Sequence, residues 1–289
     1  MPLWKCLLLS SYYHLSLPYR NRRNRRAAEE GRAPVIVLLY HRIADDAANL
    51  WTMSNAMFVK QIDWLRRNFD IVSLAEAQQR IRGDNNNEPC VAITFDDGYA
   101  INCQHALPLL VRERIPCTYF VTTEAALTGG PFQHDLAMGH RFEPNTLEQL
   151  KALSAAGIEI GAHTRTHVDI GKVTDPDKLF DELVTARDEL QNALGQPIRY
   201  FAFPFGQHRR LSSAAFHLAR QSGYEALCSA YGGYNFPGDD PFHIQRIPAD
   251  ESFLRLKNWV TVDPRKVRGI RRFYYGDLAP ANSNELLAH

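Results

Sequence analysis

Short apolar runs alternate along this chain with stretches in which apolar residues recur every three or four positions. The runs have the length and β-branched content of buried strands, and the recurring pattern is that of helices with one buried face. Predicted strands lie at residues 34–40, 71–74, 91–95, 117–121, 158–162, 200–204, 225–229 and 242–247. Predicted helices lie at residues 54–69, 73–83, 102–114, 146–157, 175–195 and 212–223. This alternation favours an α/β fold with a mostly parallel sheet closed into a barrel.

A single domain is predicted, because neither an internal repeat nor a linker divides the pattern. We place it at residues 34–260, between a basic N-terminal appendage at residues 1–33 and a basic C-terminal tail at residues 261–289. Within the domain, residues 123–145 have the composition of a long loop, and such loops usually form lids or binding rims.

Charge is nearly balanced over the whole chain, with 33 Lys and Arg against 32 Asp and Glu. The formal net charge of +1 provides no global field that would attract nucleic acid. Basic clusters at the two ends could contact an anionic membrane surface, and could equally be solvated faces. They comprise Arg20, Arg22, Arg23, Arg25 and Arg26, and Arg265, Lys266, Arg268, Arg271 and Arg272.

Five cysteines without a Cys-x-x-Cys spacing indicate neither a disulfide framework nor a thiolate zinc site. The mildly apolar residues 1–18 are interrupted by Lys5 and His14 and are not followed by a cleavage site of a secretion signal. No apolar run reaches the roughly 18 residues of a membrane-spanning helix. These observations predict a cytoplasmic or membrane-peripheral protein.

Two adjacent carboxylates, Asp96 and Asp97, follow the predicted strand at residues 91–95 and precede Gly98. Parallel α/β folds place their chemistry at the carboxyl ends of strands. Neighbouring strand residues point to opposite faces, so both acids can face one volume only if the strand ends there and Gly98 makes the bend. We therefore expect one carboxylate to bind a metal and the other to stay free, although Asp-Asp-Gly is also a common turn sequence.

Two histidines four residues apart, His163 and His167, follow the predicted strand at residues 158–162. This spacing lets both imidazoles reach one ion, although such pairs also occur by chance. With one Asp they make three ligands and leave a position open for water, which is typical of catalytic metal sites. Zinc suits this nitrogen and oxygen set, and cobalt or nickel are alternatives. The metal would lower the pKa of the water, and the free carboxylate would accept its proton.

With both motifs in view, the sequence resembles the polysaccharide deacetylases that share the NodB homology domain, carbohydrate esterase family four. Residues 94–98, Thr-Phe-Asp-Asp-Gly, are similar to the first motif of that family, and residues 163–167, His-Thr-Arg-Thr-His, to its second. Residues 39–42, 203–206 and 246–248 are similar to members of the exopolysaccharide and poly-N-acetylglucosamine deacetylase branch.

The resemblance implies a distorted (β/α) barrel of the NodB type and a metal-dependent hydrolase that removes N-acetyl groups from an amino-sugar polysaccharide. Asp96 would be the general base, while Asp97, His163 and His167 would bind the metal. The partner implied is an N-acetylated glycan, which members of this family often meet in the cell envelope or outside the cell. Four residues are expected against the substrate or the developing oxyanion: Tyr99, Pro204, Phe205 and Gly206.

Two departures from the family pattern concern the surroundings of the general base and the proton donor. Many members carry an Arg that orients the catalytic Asp two residues before the motif proline, where this chain has Ala202. The late Leu-x-His motif that supplies the general acid is not evident either. His243 lies near the equivalent strand and is one candidate for the general acid. His41, at the end of another strand, is the other candidate.

Alternative functions follow from these departures. A catalytically silent carbohydrate-binding protein of the same fold would account for Ala202 and the missing acid motif. An O-deacetylase differs only in the leaving group, so the sequence is compatible with it. A glycosidase acid pair is disfavoured, because glycosidase carboxylates flank the scissile bond about 5 to 9.5 Å apart and need no histidine pair.

Overall fold

The computed structural model describes residues 3–269 and 271–275. Its strands are β1 (Val35–Tyr40), β2 (Arg42–Ile43), β3 (Thr52–Met53), β4 (Asp70–Val72), β5 (Cys90–Phe95), β6 (Cys117–Val121), β7 (Glu159–Ala162), β8 (Tyr200–Ala202), β9 (Ala226–Ser229), β10 (His243–Gln245) and β11 (Ile247–Pro248). Its helices are α1 (Leu3–Glu29), α2 (Asn55–Asn68), α3 (Leu74–Arg82), α4 (Ala106–Arg112), α5 (Thr123–Thr128), α6 (Gln133–Leu136), α7 (Leu147–Ala155), α8 (Pro176–Phe180), α9 (Ala186–Leu194), α10 (Ser213–Gln221), α11 (Phe253–Val260) and α12 (Pro264–Arg268).

The strands form a parallel, nearly closed barrel, as the alternation of strands and helices predicts. The main sheet runs in the order β10-β9-β8-β7-β6-β5-β1-β11, with β4 paired to the first half of β5. Its first and last members, β10 and β11, are consecutive segments of one extended stretch that only Arg246 interrupts. This stretch pairs with β9 on one side and with β1 on the other, and so it closes the barrel.

Apolar side chains fill both faces of the barrel wall. Ile36 and Leu38 of β1 point outward to the layer of surrounding helices, while Val35 and Val37 point into the barrel. The interior is lined by small or slender residues such as Ala92 and Cys228, and α3 packs against them. Because successive strand residues alternate between these two layers, the position of a residue in its strand decides whether it can reach the site.

Most helices begin where their capping residues predict. The hydroxyls of Ser73 and Thr146 accept from the backbone N–H groups of Glu76 and Gln149, and Gln149 completes the reciprocal capping box. Two segments between residues 123 and 195 differ from the sequence-based expectation. The long loop at residues 123–145 contains α5 and α6, and the predicted helix at residues 175–195 is interrupted by a π-helical turn at Asp181–Thr185.

Helix α1 packs against α11, whereas we expected residues 1–33 to be an appendage without a partner face. The buried guanidinium of Arg20 donates to the backbone carbonyl (2.8 Å) and to the side-chain oxygen (2.5 Å) of Asn258. Arg20 therefore lies neither on a solvated face nor on a surface that a membrane could contact, which corrects the expectation for that member of the basic cluster. Its partner lies 238 positions away, so the local sequence carries no sign of the contact.

Within the described ranges, no helix has the length and apolar content needed to cross a bilayer. The predicted C-terminal tail at residues 261–289 begins with α12, but residues 270 and 276–289 lie outside the described residues. The boundaries of the predicted domain remain a prediction.

Candidate active site

The two carboxylates at the end of β5 are buried, and both face Nε2 of His163, Asp96 at 3.8 Å and Asp97 at 3.3 Å. Asp97 has a φ of 75° and Gly98 a φ of 92°, so two successive residues adopt the left-handed conformation. A non-glycine residue rarely takes this conformation without a compensating interaction. The bend expected at Gly98 therefore starts one residue earlier, at Asp97, and both acids face one volume.

Asp97, His163 and His167 form a cluster whose ligand atoms all lie within 4.8 Å of one another. Oδ1 of Asp97 is 3.3 Å from Nε2 of His163 and 3.1 Å from Nε2 of His167. These separations are close to the edge of about 3.4 Å expected for a tetrahedron with metal–ligand bonds of about 2.1 Å. The spacing of the three groups thus fits a zinc-sized cation.

The protonation of His163 also favours a cation at this point. Its Nδ1 lies 2.8 Å from the carbonyl oxygen of Ala202, which can only accept a hydrogen bond. In the neutral ring Nε2 therefore has a free lone pair, and it faces an Asp97 oxygen that is itself buried without a hydrogen-bond donor. Two acceptors at 3.3 Å require a positive charge between them or on the ring. A divalent cation satisfies this requirement.

The pKa shifts of Asp97 and His163 show that opposite charges on these residues stabilise each other. Burial by itself would raise the pKa of Asp97, but the interactions with His163 and His167 outweigh it and hold that pKa well below the usual range. Burial would likewise lower the pKa of His163, yet the charges of Asp96 and Asp97 raise it. Asp97 is therefore a permanent anion in this site.

The loop between His163 and His167 is held by Glu182, a buried residue of the π-helical turn. One carboxylate oxygen of Glu182 accepts from the backbone N–H groups of Arg165 (3.0 Å) and Thr166 (2.9 Å). The other accepts from the hydroxyl of Thr166 (2.6 Å). Thr164 and His167 have φ values near 60° in this loop, so Glu182 stabilises a strained backbone next to both histidines.

Asp96, the carboxylate outside the metal cluster, is paired with Arg246, the residue at which the barrel closes. The fully buried guanidinium of Arg246 donates to Oδ1 (2.6 Å) and Oδ2 (2.8 Å) of Asp96. Arg246 is fixed in turn by the hydroxyl of Thr94 (3.2 Å) and the carbonyl of Ser229 (3.1 Å). Asp96 therefore has an orienting arginine, although Ala202 stands where many family members carry theirs.

The two candidate proton donors lie in different layers of the barrel. His41 follows β1, next to the end of β5, where burial lowers its pKa although the charges of Asp97 and Asp96 act in the opposite direction. His243 lies on the outer face of β10, where its Nε2 is 2.9 Å from the hydroxyl of Ser229 and its ring packs on Phe216 of α10. Its neighbour Ile244 takes the inward position instead. This corrects the expectation that His243 reaches the pocket.

Tyr99, one of the expected substrate-facing residues, is fully buried and cannot contact a substrate directly. Its hydroxyl donates to Asp135 (2.7 Å) and lies 3.2 Å from Nε2 of His134. The His134 ring lies against that of His167, with ring centroids 4.0 Å apart and planes tilted by 31°, and its Nε2 is 3.9 Å from Oδ2 of Asp97. The long loop thus brings a third histidine to the edge of the cluster, and Tyr99 supports it from behind.

The segment Pro204-Phe205-Gly206 lies beside the histidines, at the end of β8. The Phe205 ring is 5.4 Å from that of His167, and the Phe205 backbone is left-handed with a φ of 62°. No acceptor among the described residues pairs with the Phe205 N–H. Gly206 leaves room for the neighbouring strand end, since a Cβ there would lie 2.6 Å from the backbone nitrogen of Ala230. The Phe205 N–H is therefore free to bind an oxygen atom.

Sequence reasoning missed three residues of this site: Arg246, Glu182 and His134. Arg246 belongs to a recognised motif, but nothing in the sequence shows that it faces Asp96 across the closing strand. Glu182 has no local signal, because it acts through the fold on a loop that lies 16 and 17 positions away. His134 lies in the predicted loop at residues 123–145, whose composition does not show which of its side chains reaches the site.

A parallel barrel with two acids at one strand end and two histidines at another defines a class, the (β/α)-barrel proteins with an Asp-His-His cluster that could hold one metal ion. Residues 83–227, half of the chain, match the sequence profile of the family described as Polysaccharide deacetylase. The chain belongs to the polysaccharide deacetylase family.

Curated relatives support this assignment. YxkH of Bacillus subtilis (strain 168), which is named for the same family, is 27% identical over 195 residues, covering 67% of this chain and 63% of YxkH. A chitooligosaccharide deacetylase of Bradyrhizobium sp. (strain ANU 289) is 29% identical over 132 residues, covering 45% of this chain and 52% of that enzyme. The chain thus spans between half and two thirds of these two relatives.

Solved structures share the fold. IcaB from Ammonifex degensii aligns with a TM-score of 0.66 and 24% identity, covering 79% of this chain and 97% of IcaB. The deacetylase PplD of Streptococcus pyogenes, solved in complex with acetate, aligns with a TM-score of 0.66 and 22% identity, covering 81% of this chain and all (100%) of PplD. These likenesses show that the barrel is of the NodB deacetylase type.

Proposed function

We propose that this protein is a metal-dependent hydrolase that removes N-acetyl groups from an amino-sugar polysaccharide. The observation that carries the proposal is the buried Oδ1 of Asp97, which has no hydrogen-bond donor and faces the Nε2 atoms of His163 and His167 at 3.3 and 3.1 Å. A free carboxylate beside this cluster, Asp96, supplies the base that hydrolysis requires. Membership of a deacetylase family and the name of the Bradyrhizobium relative support an N-acetylated glycan as substrate.

Each group of the chain has a distinct task in the proposed reaction. Asp97, His163 and His167 would hold a divalent cation, most suitably zinc and alternatively cobalt or nickel. Such a cation, when bound, acts as a Lewis acid towards the acetyl carbonyl and lowers the pKa of water. Asp96 accepts the proton of the attacking water, and Arg246 holds the carboxylate in position by donating to both of its oxygens.

The reaction also needs groups that act on the acetyl oxygen and on the leaving amine. The free N–H of Phe205 can donate to the oxyanion that develops as water adds to the carbonyl carbon. When the carbon–nitrogen bond breaks, the sugar amine takes up a proton, and we assign the donor role to His41, a histidine outside the metal set that lies next to the end of β5. Acetate and a free amine are the products.

Arg246 weakens the alternative of a catalytically silent binding protein. That alternative was motivated by Ala202, which leaves the base without its usual arginine, and by the missing acid motif. Arg246 restores the missing contact from another strand, and His41 provides a donor at the site. A silent protein would bind the glycan without releasing acetate even after metal addition.

Acetate release from an N-acetylglucosamine oligomer tests the proposal. We expect turnover with added zinc, loss on chelation, and a fall of at least about 100-fold in Asp96→Asn and in His41→Gln, since acid–base groups typically contribute 10²–10⁴-fold. His243→Gln is the matched control, and we expect it to keep near wild-type activity. Activity that survives both chelation and Asp96→Asn would contradict the proposal. Acetate released only from an O-acetylated oligomer would identify an O-deacetylase instead.

A further inference from the structure

Helix α1 is anchored along one side, and this orientation leaves its other side facing away from the barrel. Arg20 and Tyr13 are buried on the anchored side, and the Tyr12 hydroxyl donates to Asp263 at 2.7 Å. Asn24 adds a hydrogen bond to the Thr261 carbonyl at 3.2 Å. The outward side is therefore fixed by the fold and does not arise from a loosely attached segment.

The outward side of α1 carries a stripe of large apolar residues. At spacings of three, four or seven positions they share one side of the helix, and all are more than half exposed. A contiguous exposed apolar surface usually marks an interaction site. This apolar stripe of α1 consists of Trp4 (59% exposed), Leu7 (68%), Leu8 (62%), Leu15 (83%) and Tyr19 (58%).

Arginines lie on the same side of α1 as the apolar stripe, nearer the C-terminal end of the helix. Arg22, Arg25 and Arg26 are exposed and follow Tyr19 at intervals that keep them on the side of the apolar stripe. Arg26 is paired with Glu30, but within residues 3–269 and 271–275 no carboxylate forms an ion pair with Arg22 or Arg25. The outward side thus passes from apolar to cationic along one helix.

A second basic group borders α1. The guanidinium of Arg265 in α12 stacks on the ring of Tyr12, 3.7 Å from its centroid, and remains largely exposed. Arg268 of the same helix is exposed as well. Arg265 therefore lies next to α1, and Arg268 lies on the same helix as Arg265.

We propose that the outward side of α1 binds the surface of an anionic lipid bilayer. Charge complementarity selects this partner, because arginines without a carboxylate partner attract anionic headgroups near a surface. The apolar stripe supplies the second signal that stable peripheral attachment requires, with Trp4 and the leucines entering the boundary between headgroups and acyl chains. The helix lies on the membrane and does not span it, in agreement with its mixed composition.

Co-sedimentation of the full chain with vesicles tests this proposal. We expect binding to vesicles containing about one third phosphatidylglycerol, falling at least tenfold on pure phosphatidylcholine or at high salt. Leu7→Asp/Leu15→Asp and Arg22→Glu/Arg25→Glu should each weaken binding at least tenfold. Phe180→Asp and Arg67→Glu, exposed changes on α8 and α2, are the matched controls and should bind as wild type.

Thermal melting of every variant verifies that the changes leave the fold intact. Equal binding of wild type and both α1 variants, or no binding to anionic vesicles, would overturn the proposal. So would a lipid-free dimer in analytical ultracentrifugation that Leu7→Asp/Leu15→Asp abolishes, since a second copy of the chain would then cover the stripe.

Discussion

At the scale of single residues, the candidate site contains backbone conformations that non-glycine residues rarely adopt. Asp97, Thr164, His167 and Phe205 all have φ between 60° and 75°. Each costs of order 1–3 kcal/mol and persists only where neighbours over-determine it. The neighbours are identifiable here: Glu182 holds the histidine loop, and Gly206 allows the Phe205 turn to lie against Ala230.

Gly206→Ala tests whether the Phe205 turn depends on that close approach. A Cβ at residue 206 would lie 2.6 Å from the Ala230 backbone nitrogen, and the φ of 47° adds conformational strain. We expect a loss of about 2 kcal/mol or more in the free energy of unfolding, together with a fall in acetate release because the Phe205 N–H is displaced.

Gly238→Ala is the control for this change. Gly238 also has a positive φ, of 81°, but a Cβ there would meet nothing within 4 Å. Gly238→Ala should lower the free energy of unfolding by about 1 kcal/mol, through conformational strain alone, and should keep full activity. Equal effects of the two substitutions on unfolding and on activity would show that crowding at residue 206 is unimportant. The comparison requires chemical denaturation and an acetate assay.

At the scale of elements, the π-helical turn between α8 and α9 explains how the two histidines are positioned. Such turns are rare and often occur at functional sites. Here the turn presents Glu182 to the N–H groups of Arg165 and Thr166, while its first residue, Asp181, binds the Arg165 guanidinium through both oxygens at 2.9 Å. The π-helical turn thus holds Arg165 and Thr166, in the middle of the loop between His163 and His167.

Glu182→Gln should weaken zinc binding by about tenfold, because surrounding groups that orient ligands typically contribute 10–100-fold in metal affinity. The amide keeps one acceptor oxygen but loses the charge and the second acceptor. Zinc affinity measured by competition with a chromogenic chelator, without substrate, checks this expectation.

Glu189→Gln is the matched control, since among the described residues the Glu189 carboxylate pairs only with the Arg165 guanidinium, at 3.2 Å, and is partly exposed. Its zinc affinity should stay within about twofold of wild type, as expected for an exposed ion pair. An unchanged affinity in Glu182→Gln, or equal losses in both variants, would refute a specific role for the π-helical turn.

At the scale of the whole molecule, the stretch that closes the barrel also carries the arginine that orients the base. The extended stretch β10-Arg246-β11 pairs with β9 and β1, and Arg246 at its interruption reaches Asp96 at the end of β5. Both charges are buried, so each depends on the other for compensation.

Arg246→Met should therefore destabilise the protein by about 3–5 kcal/mol, because it leaves the Asp96 carboxylate buried without its partner. The double change Asp96→Leu/Arg246→Met removes both charges and should cost markedly less than Arg246→Met alone, although it abolishes activity. Free energies of unfolding for wild type, both single variants and the double variant form the cycle that measures this coupling. Additive effects of the two changes would mean that the pair is not coupled.

The sequence by itself determined the parallel barrel and the residues that meet at its carboxyl end. Strands and helices alternate with distinct periodicities, and the ends of parallel strands share one edge, so Asp97, His163 and His167 could be expected together. Their motifs are local strings whose geometry depends on a single turn. For the same reason the capping residues marked several helix starts correctly.

Only the tertiary structure decided which other side chains face the acids. Arg246 replaces an arginine expected at residue 202, and His41 lies beside the acids while His243 lies outside the barrel wall. Both outcomes depend on strand order and on which face of a strand a residue occupies, and a shift of one position reverses that face. The docking of α1 through Arg20 depends on a partner 238 positions away, and a contact so distant leaves no periodic or local trace in the sequence.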